Sequence, residues 1–311
     1  MTTLLVTHPA FARHETPRGH PERVDRILAV ETALSAPVFG ALERQQAPEA
    51  AFEAVAACHP QRYIEMLQRL SPHDDEGLAA LDADTSMSSG TFEAALRGAG
   101  GAILAVDEVM TGKARNAFSA SRPPGHHAEP ERAMGFCFFN NVAIAARHAL
   151  KAHGAARVAI MDFDVHHGNG TQAIFWNEPA VLYASTHQMP LYPGTGARSE
   201  TGEAGTIVNA PLRAGQGGAE FRDAMETLIL PRIRDFAPDL LLVSAGFDAH
   251  ARDPLGSLNL VEEDYGWATA ELMRIADETA AGRIVSVLEG GYDLTALAWS
   301  SAVHVATLMQ A

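Results

Sequence analysis

The chain has 311 residues, 47% of them apolar, which is ample for a sizeable buried core, and α/β proteins of this length commonly use one. A net charge of −15 speaks against nucleic acid as a direct ligand, because phosphate contacts need a basic surface. Cys58 and Cys137 are too few for a disulfide framework, no apolar stretch reaches the length of a bilayer span, and the N-terminus does not read as a signal peptide; a cytoplasmic protein without a membrane partner is expected.

In chain order, short apolar runs near Leu4–Val6, Ala117–Ser119, Val158–Met161, Val181–Ala184, Leu240–Val243 and Ile284–Leu288 read as strands. Between them, apolar spacing predicts helices over Glu22–Ala33, Gln61–Leu70, Ser89–Met110, Asn141–His153, Gly218–Phe236, Glu262–Ala280 and Leu294–Met309. Continuous rather than alternating hydrophobicity suits strands covered on both faces. The alternation of strand and helix therefore predicts an α/β fold, a central parallel sheet with helices on both faces. No linker, repeat or low-complexity tract divides the chain, so residues 1–311 are expected to form a single domain. Ligands of such sheets bind beyond the carboxyl ends of the strands, and here the polar, Gly-rich and Pro-rich segments follow the strands.

Those segments carry the chemistry. After Ser119 comes Arg122-Pro-Pro-Gly-His126-His127-Ala128, where prolines and a glycine stiffen a turn bearing paired imidazoles. Alone, this would equally suit a solvated surface turn. Cys137, in Gly135-Phe-Cys-Phe-Phe-Asn140, has no neighbouring base and reads as a small buried hydrophobe. The run Asp162-Phe-Asp164-Val-His166-His167-Gly168-Asn169-Gly170 places two carboxylates and two imidazoles just past a strand. Asp164 and His166 lie two apart, so in extended chain they point the same way and can share an ion. A carboxylate and an imidazole suit Zn²⁺ and other borderline divalent metals such as Fe²⁺ or Co²⁺, and a catalytic zinc takes three protein ligands with one position open. Asp248, closing the run Asp239-Leu-Leu-Leu-Val-Ser-Ala-Gly-Phe-Asp248, is the best third ligand if the two strands are near neighbours. The alternative is a buried hydrogen-bonded Asp–His pair capping the next helix. The last strand leads into Leu288-Glu-Gly-Gly-Tyr292-Asp293, which delivers a phenol to the same edge.

Taken in order, RPPGHHA, GFCFFNN, DFDVHHGNG, YPGTG, SAGFDAH and LEGGYD resemble the zinc-dependent histone deacetylase superfamily, from about His20 to Tyr292. That superfamily also holds bacterial deacetylase-like amidohydrolases, acetylpolyamine amidohydrolases and acetoin-utilisation proteins. The resemblance implies an arginase/deacetylase-like fold forming one catalytic domain. It implies one Zn²⁺ per chain on Asp164, His166 and Asp248, with Tyr292 polarising the substrate carbonyl. His127 becomes the general base and acid, and His126 its electrostatic partner backed by Asp162. Asn169 stands where some members carry an Asp behind His127; with the Glu of LEGGY this places the chain nearer class II. A structural K⁺ is implied at Asp162, Ser185, Thr186 and the backbone of Asp164 and His166. Gly135, Phe136, Tyr192 and Leu255 would line the substrate channel, Asp84 would grip the substrate at the rim, and Arg23 would line an interior acetate passage.

The implied reaction is hydrolysis of an N-acyl amine by a metal-activated water. Leu255 lies where polyamine-selective relatives carry an acidic gatekeeper, which favours acyl-lysine in a protein or peptide over a small N-acetyl amine such as acetylpolyamine. A two-manganese ureohydrolase would need carboxylates at Gly168 and His250. A non-catalytic acyl-lysine binder would be expected to lack a catalytic group, yet every position is filled. Oligomeric state stays open.

Overall fold

The computed structural model describes residues 2–74 and 76–310. Ten strands occur among them: β1 (Thr2–Thr7), β2 (Glu43–Gln46), β3 (Ala79–Ala80), β4 (Ser86–Met87), β5 (Ala114–Ser119), β6 (Val158–Asp162), β7 (Val181–Gln188), β8 (Ile207–Leu212), β9 (Leu240–Ala245) and β10 (Ile284–Leu288). The α-helices are α1 (Asp25–Leu34), α2 (Phe52–Val55), α3 (Gln61–Leu70), α4 (Thr91–Met110), α5 (Asn141–Ala152), α6 (Asn169–Phe175), α7 (Gly218–Ala224), α8 (Leu230–Phe236), α9 (Glu262–Thr279) and α10 (Leu294–Leu308).

Eight strands form one sheet in the order β2-β1-β5-β10-β9-β6-β7-β8, with every pairing parallel. β3 and β4 make a separate small antiparallel hairpin. Helices α4 and α5 cover one face of the sheet, while α1, α10 and α9 pack together on the other. Each residue of β6, β7, β9 and β10 is buried, which explains why apolar residues fill successive positions of these strands instead of alternating. All six sequence-expected strands are present, and the expected α/β class holds.

β6 and β9 are adjacent, with Asp162 in register with Ser244. This adjacency brings the exit of β9, and with it Asp248, beside Asp164 and His166. β10 flanks β9 on its other side and β5 flanks β10, so the exits of β5, β10, β9, β6 and β7 adjoin along one edge. The helix expected over Gly218–Phe236 is α7 and α8 joined by a π-helical turn, Met225–Ile229. Pro231 lies in the first turn of α8 and has no N–H to donate, which a wider turn accommodates.

Candidate active site

Asp164 and His166 follow β6, and Asp248 follows β9, as their burial between strand exits requires. His166 Nδ1 faces both carboxylates, Asp164 Oδ1 and Asp248 Oδ2, at 3.1 Å each. One ligand atom from each residue lies within 4.8 Å of the others, and all three side chains are buried. Backbone amides aim the carboxylates: Gly290 N donates to Asp164 Oδ2 at 2.9 Å, and Val165 N to Asp248 Oδ1 at 2.7 Å. The loops can approach this closely because two positions lack side chains. A Cβ on Gly246 would fall 2.0 Å from Asp164 Oδ2, and one on Gly290 would fall 2.2 Å from Asp248 Oδ2.

These residues fit a divalent ion. Burial pushes the Asp248 carboxyl up to about 7, and the neighbouring Asp164 charge adds to that, so the two buried carboxylates call for a cation between them. An N/O donor set of one imidazole and two carboxylates is of the kind zinc accepts, and His166 also lines the pocket. No second ion is provided for here. Gly168 offers no side chain, and its Cβ would collide with Asp162 Oδ2 at 2.4 Å, while His250 Nε2 points to Glu262 at 3.4 Å.

The two histidines after β5 sit in different electrostatic environments. His126 Nδ1 donates to Asp162 Oδ2 at 3.0 Å. Burial opposes its cation, but Asp164 and Asp162 outweigh burial and raise its pKa well above the usual histidine value. His127 is pushed the opposite way, by burial first and then by the neighbouring His126 and His166 charges. Its Nδ1 lies 2.8 Å from Asn169 Oδ1. The amide cannot be reversed, because Asn169 Nδ2 donates to Glu129 Oε1 at 2.8 Å. His127 Nδ1 must therefore carry the proton, leaving Nε2 with a free lone pair. A neutral base beside a held cation results.

Tyr292 follows β10, with 9% of its surface exposed. The Arg26 guanidinium lies 4.8 Å from the centre of its ring. A cavity of about 230 Å³ is lined by His127, His166 and Tyr292, by Gly135, Phe136, Tyr192 and Leu255, and by Asp84. The first three are buried while Tyr192 and Asp84 are exposed, so the cavity runs from an acidic rim to His127, His166 and Tyr292. Phe136 meets Tyr292 edge to face at 5.9 Å, and Tyr192 meets His127 likewise at 5.1 Å. Gly135, at φ 55°, leaves no room for a Cβ, which would lie 2.5 Å from the His127 ring.

Asp162 and Ser185 are paired across β6 and β7, with Thr186 next to them, all buried. The arginine of this segment that lies inside the protein is Arg26. Arg23 is 47% exposed and pairs with Asp25 on the surface, which corrects its expected place in an inner passage. Arg23 precedes α1, which begins at Asp25 rather than Glu22, and Arg26 in its first turn is buried.

Several supporting residues have structural roles that their sequence context did not assign. Glu289, buried behind the histidine loop, accepts the amides of Gly125 and His126 at 2.7 and 3.1 Å. Glu22 binds both Arg26 and Arg122 at 3.0 and 2.6 Å with no exposure. Glu129 orients Asn169, and Asp253 anchors the Tyr292 loop. A charged residue directly after a buried, mostly apolar strand was the available signal for Glu289; the others act from loops with no distinguishing pattern.

Residues 20–308 match the family model described as the histone deacetylase domain. A probable deacetylase of Archaeoglobus fulgidus is 40% identical over 94% of this chain and 82% of its own. A histone deacetylase-like amidohydrolase of Pseudomonas aeruginosa is 41% identical over 92% of this chain and 74% of its own. Among solved structures, the HDA15 HD domain superposes with a TM-score of 0.93 at 32% identity, covering 100% of this chain and 90% of that one.

Proposed function

The chain belongs to the histone deacetylase domain family and is a hydrolase of the deacetylase type, and from that premise we propose that it removes acyl groups from ε-N-acyl-lysine in proteins or peptides. Asp164, His166 and Asp248 would hold one Zn²⁺, which when bound supplies Lewis acidity and a nucleophilic water at neutral pH. His127, neutral with Nε2 free, takes the proton from the attacking water and returns it to the departing amine. His126, held cationic by Asp162, stabilises negative charge nearby. The Tyr292 phenol donates a hydrogen bond to the acyl oxygen as charge develops there. Phe136 and Tyr192 form an apolar slot for the lysine methylenes and keep water out. Asp84 receives the substrate backbone at the rim.

The neutral His127 at the base of a narrow aromatic slot, facing the Asp164–His166–Asp248 group, is the observation that carries this reading. Leu255 selects the substrate class. It puts an uncharged wall where a cationic polyamine would need a carboxylate, which favours acyl-lysine over a small N-acetyl amine. Asp162, Ser185 and Thr186, with the backbone of Asp164 and His166, would hold a structural K⁺. We assign residues 1–311 to one catalytic domain working in the cytoplasm; among the described residues no helix is long and apolar enough to cross a membrane.

Parallel kcat/KM values for an acetyl-lysine peptide and acetylputrescine test the assignment. The peptide is expected to be favoured by about tenfold or more, the scale of one hydrophobic-versus-charged contact. A preference for acetylputrescine would transfer the reading to the polyamine class.

A further inference from the structure

A second group of metal-ligating side chains lies away from the pocket: Asp107, His148 and His153. Asp107 is on α4 and His148 on α5, two helices packed side by side, and His153 caps the C-terminus of α5. Both rings present Nε2 to the same carboxylate oxygen, Asp107 Oδ1, at 2.7 and 2.6 Å. Their planes cross at 73° with centroids 5.5 Å apart, so the two edges converge rather than stack. Exposures of 40% for Asp107, 21% for His148 and 17% for His153 leave the point of convergence open to water. Among the described residues, Asp107 Oδ2 and both Nδ1 atoms make no hydrogen bond to the protein.

We propose that Asp107, His148 and His153 form a peripheral site for a borderline divalent transition metal such as Zn²⁺. Two imidazole nitrogens and one carboxylate oxygen are the donor set such ions accept, and solvent supplies the remaining position. The separations of 2.6 and 2.7 Å are those of hydrogen bonds. Zinc ligands at about 2.0–2.1 Å in a tetrahedral arrangement stand about 3.3 Å apart, so each ring must retreat by about 0.6 Å. Partly exposed side chains at a helix end can make that adjustment. An ion held there would tie α4 to α5, and α5 starts directly after the Gly135–Asn140 segment that walls the slot.

The test uses the full chain with its pocket metal loaded, equilibrated with micromolar ZnCl₂, desalted and submitted to elemental analysis. Wild type is expected to carry one equivalent more than the His148→Gln/His153→Gln double variant. Glutamine can keep a hydrogen bond to Asp107 but is a poor ligand, so the variant preserves the contact while removing the site. Added ZnCl₂ should also raise the melting temperature of wild type by a few degrees and leave the variant unmoved, since an ion bound only by the folded state stabilises it. If the double variant does not fold, Asp107→Asn serves the same comparison. Equal zinc content and equal melting shifts in wild type and variant would overturn the proposal.

Discussion

Asp253 Oδ2 accepts the backbone amide of Tyr292 at 2.7 Å. The same carboxylate takes the amide of Asp293 at 3.3 Å and, through Oδ1, that of Leu255 at 2.9 Å. One buried side chain thus sets the depth of the phenol and the position of the slot wall together.

Replacing Asp253 with Asn puts an amide donor against at least one of these N–H groups and should lower kcat about 10–100-fold, the cost of losing a hydrogen bond to a buried carboxylate. Metal content should stay at the wild-type level. Tyr292→Phe should lower kcat about 100–1000-fold by itself. Because Asp253 acts through Tyr292, steady-state kinetics of the double variant should show losses well short of additive; full additivity would mean that Asp253 acts elsewhere.

Asn169→Asp places a carboxylate against His127 Nδ1, where the wild-type amide lies at 2.8 Å. A carboxylate favours the imidazolium, so the pKa of His127 rises. The base is then protonated over a wider acidic range, and the acid limb of the kcat/KM profile should move to higher pH. Measuring that profile for both proteins checks the sign, and a limb displaced to lower pH would contradict it.

Arg26→Met removes a guanidinium that binds Glu22 Oε1 at 3.0 Å and the carbonyls of Gly291 and Glu289 at 2.6 Å each. Glu22 then keeps Arg122 alone as its arginine partner inside the protein. Breaking one arm of a buried charge network costs about 3–5 kcal/mol, read as a fall in the urea midpoint at constant m.

His304 is buried between Thr269 Oγ1 at 2.6 Å and Ser286 Oγ at 2.8 Å, and burial pushes its pKa down to about 3. In the unfolded chain it titrates near 6.5. Between those values only the unfolded state binds the proton, so the contribution is full above about pH 6.5 and is lost as pH falls toward 3. His59, pushed by burial to about 4, acts in the same sense. His304→Gln should flatten the dependence of Tm on pH across this window.

The sequence was most readable where burial was most complete. β6, β9 and β10 carry side chains in the core on both faces, so their composition alone marks them. β2 and β8 went unrecognised, and both are edge strands. β2 is the polar run Glu43–Gln46, largely exposed, and β8 contains Pro211, which an edge position tolerates. α6 has only seven residues and begins on Asn169, inside the metal motif, where helical spacing has no room to show. The candidate ligands Asp164, His166 and Asp248 stood out because they follow apolar strands within a few residues, whereas His126 and His127, seven and eight residues past β5, stood out only as part of the ordered motif set. Glu129 and Asp253 were not, since their roles are defined by backbone and amide groups distant in sequence.

Position within the sheet also bears on how this protein can diversify. The strands β6 and β9, which lead into the candidate ligands Asp164, His166 and Asp248, are interior, and the edge strand β2 lies four places from β9, about 19 Å at the usual interstrand spacing. Insertions or an added strand at β2 would meet neither the ligands nor their amide supports. Variation in lineage, or grafts made by a designer, can therefore accumulate at that margin while the chemistry is inherited intact.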